Sequence, residues 1–471
     1  MSEKNEELER KLAPRHMQMI ALGGTIGVGL FMGSSSTIHW TGPSVLLDYA
    51  LAGVFLYLIM RALGEMLYVH PVTGAFSQFA TLYMHPVFGY LTAWSNIFQW
   101  VLVGMSEVIA IGTYCHFWFP GLPGWVPGII AIVALALANL FSVKSFGELE
   151  YWFALIKVVT IVLMIVAGLG VIIFGFGHGG HPVGISNLWK DGFFTGGVKG
   201  FLFALAIVLG SYQGVELIGV TAGEADNPKK SIVEAIQSTI GRILIFYIGA
   251  IFVIVSIYPW DKIGTIGSPF VLTFSKLGIT AAAGIINFVV LTAALSGSNS
   301  AIYSSSRMTY LLSKEGKLPK KFLELTKSGV PLYTVLAVSG GIFIGVILNV
   351  VLPFFIKNAG DIFVLVYSSS ILPGMVPWFV ILVSEMRFRK LHPEELENHP
   401  FQMPWSPYTN YITLFVLFVT LIFMVVNNDT RVPVIIGAVF LAIMTIIYFV
   451  KYNRTDIEER RKNQGKEIFD K

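Results

Sequence analysis

Residues Leu22 to Gly33 read Leu-Gly-Gly-Thr-Ile-Gly-Val-Gly-Leu-Phe-Met-Gly, and the chemistry they offer is that of bare peptide groups. Five glycines in twelve residues oppose a continuous helix. Each costs about 1 kcal/mol relative to alanine in a helix interior. The run lies inside the first hydrophobic stretch of the chain, where no water can satisfy an unwound backbone. Such backbone is tolerated in hydrocarbon only where protein buries it or where it lines a polar cavity. The freed N–H groups of Gly27, Val28 and Gly29 suit an anion, and freed carbonyls suit an ammonium. The pattern predicts a small-solute site at membrane depth.

The sixth hydrophobic stretch repeats the signal, with Gly210, Ser211, Tyr212, Gln213, Gly214 and Glu216 in mid-span. Either stretch alone could be a packing face of small residues. Two interrupted spans, five apart and crossing in opposite directions, point to an inverted-repeat transporter with its site at the breaks. Tyr212 is placed to cover a bound solute as a gate, or is a packed aromatic. Glu216 and Glu107 are carboxylates inside the membrane, costly and functional by default. Burial disfavours their charged form, so either could donate a hydrogen bond. Glu216 is expected to organise the site or bind a substrate amine, or to brace the break through the amides of span one. Glu107 is a candidate for a substrate or proton role. Lys157 lies eight residues into the fifth span, about 12 Å deep at 1.5 Å per residue, of which snorkelling can cover only part. Arg61 and Glu65, four apart near one membrane face, read as a structural pair or a gate element. Ser296, Ser298, Asn299 and Ser300 read as polar packing between helices. His178 and His181 have no third ligand nearby, so no metal is expected. Gly27-x-Gly29 follows no strand and is not a dinucleotide fingerprint.

The elements that must position these residues follow from composition. The 471 residues are 55% hydrophobic and 13% charged, about half the charge of a soluble protein. Twelve apolar spans are predicted, at 17–39, 43–68, 87–116, 125–144, 149–175, 198–221, 237–258, 270–300, 331–352, 359–384, 409–427 and 431–450. With the N-terminus inside, the inner segments hold 23 Lys and Arg and the outer ones 6. Both termini are therefore expected in the cytoplasm. This asymmetry accounts for the net charge of +4 without a nucleic-acid partner. A polar tail over 1–16, a single membrane region and a tail over 451–471 are expected, with no cleaved leader. Cys115 is the single cysteine, so no internal disulfide can form. Asn227-Pro228 marks a turn, and Ser231 with Glu234 forms a capping box that would start the next helix.

Taken in order, several motifs resemble the amino acid permeases of the amino acid–polyamine–organocation superfamily, and most closely its bacterial amino acid transporter subfamily. They are Gly23-Gly-Thr-Ile-Gly-Val-Gly-Leu-Phe, Arg61-Ala-Leu-Gly-Glu-Met, His70-Pro-Val-Thr-Gly-Ala-Phe, Gly104-Met-Ser-Glu-Val-Ile-Ala-Ile-Gly, Phe153-Ala-Leu-Ile-Lys-Val-Val, Gly214-Val-Glu-Leu-Ile-Gly-Val-Thr-Ala-Gly-Glu and Ser298-Asn-Ser-Ala-Ile-Tyr-Ser-Ser-Ser-Arg-Met. The resemblance covers almost the whole chain. It implies an all-α integral membrane fold of twelve transmembrane helices. Helices 1–10 (17–384) would form a five-plus-five, leucine-transporter-like inverted repeat with helices 1 and 6 discontinuous, and helices 11–12 (409–450) would lie outside it. It also implies that the carbonyls of Thr25, Gly210 and Gln213 receive the substrate ammonium. Lys157 would stand where sodium-coupled relatives bind Na⁺, bridging spans one, five and eight. That position implies proton symport of L-amino acids across the cytoplasmic membrane, with no cofactor. Neutral substrates are expected, since no second acidic residue joins Glu216; lysine-like substrates and exchange stay open. An intramembrane enzyme is the rival from another class, but no nucleophile–base pair or His-Glu-x-x-His motif supports it. A channel is the other rival.

Overall fold

The computed structural model describes residues 19, 23–72, 74–177, 179–221, 228–263, 268–271, 280–355 and 359–456. The expected polar tails fall almost wholly outside the described residues, as do His178 and the turn residue Asn227. No β-strand occurs among the described residues. The helices relevant here are α1 (Val28–Phe31), α2 (Gly33–Thr41), α3 (Val45–Val69), α4 (Ala75–Tyr83), α5 (Pro86–His116), α6 (Trp125–Phe141), α7 (Val143–Phe174) and α8 (Gly197–Ser211). They continue as α9 (Leu217–Thr221), α10 (Pro228–Ile257), α11 (Thr280–Lys314), α12 (Leu332–Val351), α13 (Ala359–Ser369), α14 (Ile371–Leu391), α15 (Tyr408–Val426) and α16 (Asn428–Lys451).

Local chemistry sets where these helices begin. Ser142 accepts the amide of Ser145 at 3.0 Å and starts α7. Pro86 opens α5, with the His85 imidazole accepting the amide of Val87. Asn427 caps α16 through the amide of Asp429. The helix after span six starts at Pro228, three residues before the expected capping box at Ser231. A proline in the first turn needs no N–H partner and is preset for the helical φ, which moves the start upstream.

Among the described residues, eight stretches are long and apolar enough to cross a membrane, among them Pro86–His116, Lys144–Phe174, Ala283–Lys314 and Asn428–Lys451; Trp125–Phe141, Gly197–Ser211 and Leu244–Ile257 are shorter apolar helices. The outer faces are studded with exposed apolar side chains, such as Val166, Phe415 and Ile446. In water a patch of that extent would be a liability; against lipid it is the expected surface. The protein is a helical membrane protein. α5 and α11 pack along each other at the centre, with α3 and α10 paired beside them and α7 against α11. Polar side chains cluster on this central pair: Asn96, Gln99, Ser106, Glu107, Ser296, Asn299 and Ser300 are buried.

Both predicted interruptions are present. Residues 23–25 are helical, Ile26 and Gly27 bend away, and α1 begins at Val28. Gly27 is extended (φ −122°, ψ −163°). In span six, α8 ends at Ser211 and five turn residues, 212–216, precede α9. The two breaks touch. Gly214 sits at φ +112°, and a Cβ there would overlap the carbonyl oxygen of Gly24. Only glycine satisfies both the backbone angle and this approach.

Candidate functional site

The break in span one exposes few vacant peptide groups. The Gly27 amide donates to the Thr25 carbonyl at 2.9 Å. That carbonyl also accepts the Tyr247 hydroxyl at 2.7 Å, which uses both of its lone pairs. The Val28 amide donates to Glu107 Oε1 at 3.4 Å. Gly29 is packed against Tyr367, whose hydroxyl fills the space of a Cβ. Glu107 reaches the break from α5 through a gap left by two glycines, Gly27 and Gly297. Its Oε2 is buried without a hydrogen-bond partner.

The break in span six is held from within and from two neighbours. Glu216 Oε2 accepts the Gly214 amide at 3.0 Å and the Trp378 indole N–H at 3.4 Å. Its Oε1 accepts Gln99 Nε2 at 3.4 Å. Glu216 therefore braces its own unwound segment, with α5 and α14, rather than the amides of span one. Gln213 donates to the Ile371 carbonyl at 3.0 Å and accepts from Gln99. The Gly210 carbonyl accepts the amides of Tyr212 and Gln213.

An aromatic block sits between the breaks. Tyr212 stacks on Tyr247 with centroids 4.7 Å apart, and both pack against Tyr49. The Tyr212 hydroxyl donates to the Tyr49 carbonyl at 3.0 Å. Tyr212 is fully buried. The Tyr247 hydroxyl shares its one proton between Thr25 O and Ser211 O, at 2.7 and 3.0 Å, so one hydroxyl ties both breaks to α10. A tyrosine in an apolar span gives no sequence signal of this kind.

Lys157 is fully buried on α7. Its ammonium donates to the carbonyls of Gly23 (2.6 Å) and Ile26 (3.0 Å) and to Ser296 Oγ (2.9 Å). It thus spans the first break, α7 and α11, and does not reach towards lipid. Ser296 in turn donates to Glu150 Oε1 at 2.5 Å, and Asn299 donates to Glu150 Oε2 at 3.4 Å. Asn139 of α6 completes the polar layer by donating to Asn299. Glu150 carries only a weak signal in the sequence. The signal was its place seven residues before Lys157, two turns away on the same helical face.

The pair expected from Arg61 and Glu65 forms with other partners. Glu65 is gripped by Arg389 of α14 at 2.8 and 2.6 Å, and by the Met403 amide. Arg61 donates to the Gln402 carbonyl and lies over the Phe401 ring at 3.9 Å. The segment between α14 and α15 crosses this end of the bundle and takes both side chains. His399 adds a contact to the Glu65 carbonyl at 3.0 Å.

Comparison with known proteins agrees with this architecture. The family described as "Amino acid permease" matches residues 16–461. The "Probable threonine/serine transporter YbxG" of Bacillus subtilis is 61% identical over 447 residues, 95% of this chain and 96% of that protein. The amino-acid permease AapA of the same organism is 40% identical, covering 95% of this chain and 96% of the relative. Its gamma-aminobutyric acid permease is 39% identical over 98% of both chains. Among solved structures, the Eremococcus coleocola manganese transporter superposes with a TM-score of 0.64, covering 98% of this chain and 99% of that one. At 14% identity that likeness concerns the fold alone.

Proposed function

The chain belongs to the amino acid permease family, and from that premise we propose that it imports neutral L-amino acids together with protons. In this reading twelve membrane helices cross the cytoplasmic membrane with both termini inside. Residues 17–384 form the five-plus-five transport core, and 409–450 add two helices outside it. Access alternates around the breaks of helices 1 and 6.

The observation that carries the reading is the ammonium of Lys157, held on the carbonyls of Gly23 and Ile26 at the first break. A fixed cation there removes the need for a bound metal ion. A lysine able to release its proton couples the break to a proton gradient. The substrate's carboxylate takes the amides of Val28 and Gly29, with Glu107 giving way, and its ammonium takes the carbonyl layer around Thr25, Gly210 and Gln213. Gly27 contributes its close backbone approach, and Tyr212 closes the pocket. Glu216 is committed to Gly214, Gln99 and Trp378, so it is not free to receive a cationic side chain, which favours neutral substrates. The name of the 61%-identical relative makes threonine and serine the first candidates.

The test is uptake of labelled threonine into proteoliposomes with an imposed pH gradient, with competition by all twenty amino acids. Accumulation abolished by an uncoupler, and competed best by small neutral amino acids, is expected. Strict Na⁺ dependence with no response to the uncoupler would overturn it.

A further inference from the structure

We propose that Glu150 is the proton acceptor of Lys157, reached through the hydroxyl of Ser296. The inference rests on the proton-symport reading above and names the residues that move the proton away from the lysine.

Three features carry it. Ser296 Oγ lies 2.9 Å from Lys157 Nζ and 2.5 Å from Glu150 Oε1, an unbroken hydrogen-bonded chain inside a fully buried layer. Glu150 stands seven residues before Lys157 on the same face of α7, about 10 Å nearer the helix's N-terminal end. The proposed orientation puts that end on the cytoplasmic side. Gly23 supplies the third feature: its carbonyl accepts the lysine ammonium, and its bare Cα is where the Glu150 carboxylate packs. The same glycine therefore touches both ends of the chain, and motion at the break acts on both at once.

The groups facing this relay come from every neighbouring element. Glu107 of α5 is the other carboxylate acting on the ammonium, but its bonded oxygen goes to the Val28 amide and no hydroxyl links it to Lys157. Asn299 of α11 holds the other oxygen of the Glu150 carboxylate, and Asn139 of α6 orients Asn299.

The step balances without another reactant. The Lys157 ammonium passes a proton to Ser296 Oγ as Ser296 passes its own hydroxyl proton to Glu150 Oε1. The products are a neutral amine, an unchanged hydroxyl and a neutral carboxylic acid, so a buried charge pair is discharged rather than separated. Glu150 then gives its proton to water when the N-terminal side of α7 opens, and Lys157 is recharged from the opposite side. Proton transfer to a positioned acceptor is worth orders of magnitude in rate, and the short chain meets the distance requirement.

The experiment compares Glu150→Gln, Ser296→Ala and Ser296→Thr with the unaltered protein in proteoliposomes. It reads gradient-driven accumulation across a series of lumenal pH values, and substrate counterflow without a gradient. Glu150→Gln is expected to slow gradient-driven uptake by about 100-fold and to flatten its dependence on lumenal pH, while counterflow persists. Ser296→Ala is expected to lose accumulation and Ser296→Thr, which keeps the hydroxyl, to recover it. The serine pair decides the matter if Glu150→Gln does not fold. Normal accumulation and an unchanged pH profile in Glu150→Gln or in Ser296→Ala would overturn the relay. If the unaltered protein ignores the pH gradient, the symport reading itself fails, a result distinct from failure of the relay alone.

Discussion

Replacing Gly214 by alanine tests whether contact between the two breaks, rather than either break alone, makes the site. Gly214 sits at φ +112°, a conformation that costs a residue with a side chain about 1–3 kcal/mol. Its Cβ would also press on the Gly24 carbonyl oxygen, which is backbone and cannot rotate away. Gly24→Ala provides the control across the same contact. There the new methyl meets Leu217 Cδ1 at 2.5 Å, the far end of a side chain that can change rotamer, at a cost of about 1 kcal/mol. The structure therefore predicts a strong asymmetry between the two halves of one contact.

At 1.4 kcal/mol per tenfold, the φ strain alone lowers the population of the correctly closed site by about 5- to 150-fold, before the carbonyl clash is added. Initial rates of labelled amino acid uptake in proteoliposomes and melting in detergent measure the two consequences. Gly214→Ala is expected to lose most uptake and to melt earlier, while Gly24→Ala keeps uptake within about fivefold, as its smaller cost implies. The reasoning is refuted if Gly214→Ala transports normally, or if Gly24→Ala is the more damaging of the two.

Tyr247→Phe removes the hydroxyl shared by the Thr25 and Ser211 carbonyls; a loss of about 1–3 kcal/mol is expected, read as a lower melting temperature and slower uptake even at saturating substrate. Arg389→Ala leaves the buried Glu65 carboxylate without its bidentate partner and is expected to destabilise by about 3–5 kcal/mol. Arg389→Lys rescues only part, because an ammonium lacks the planar fork; denaturation in mixed micelles compares the two. His399 accepts the Phe401 amide on Nδ1 while Nε2 faces the Glu65 carbonyl, an arrangement that requires the neutral ring. Burial lowers its pKa from 6.5. Its contribution is therefore complete above pH 6.5 and lost as the pH falls through the lower folded value. Proteolytic nicking between α14 and α15 should rise on acidification in the unaltered protein and not in His399→Gln.

What could be read without coordinates follows physical contrast. Five glycines in twelve apolar residues, a lysine in an apolar helix and a carboxylate beside Gly214 each stand out against a background that should contain none of them. Both breaks and the placement of Lys157 were accessible for that reason. Glu150 lies two residues into its predicted span, where a charge reads as the end of the membrane, and only its seven-residue register with Lys157 distinguishes it. Tyr247 and Gln99 had no contrast, since their importance comes from which distant backbone atoms they meet. The Arg61–Glu65 spacing did signal an ion pair. Arg389, 324 residues away from Glu65, competed successfully because its guanidinium approaches bidentately from a packed helix.

The breaks themselves change how substrate recognition must work. Thr25 O already accepts two hydrogen bonds, Gly210 O accepts two amides, and the Val28 amide already faces a carboxylate. On the proposed reading, an amino acid entering this layer would exchange one set of partners for another, each exchange netting only about 1 kcal/mol. Head-group contacts of this kind are common to every α-amino acid and cannot alone discriminate among them. Selectivity must then come from the walls the side chain meets, where the hydroxyls and rings of Tyr49, Tyr212, Tyr247 and Tyr367 converge on the breaks. On the proposed reading, a substrate bordered by these phenolic hydroxyls would find a bond for a small hydroxylated side chain that an alkyl side chain of equal volume cannot make. On that reading threonine is expected to outcompete valine in the proteoliposome uptake assay, and equal competition by the two would refute it.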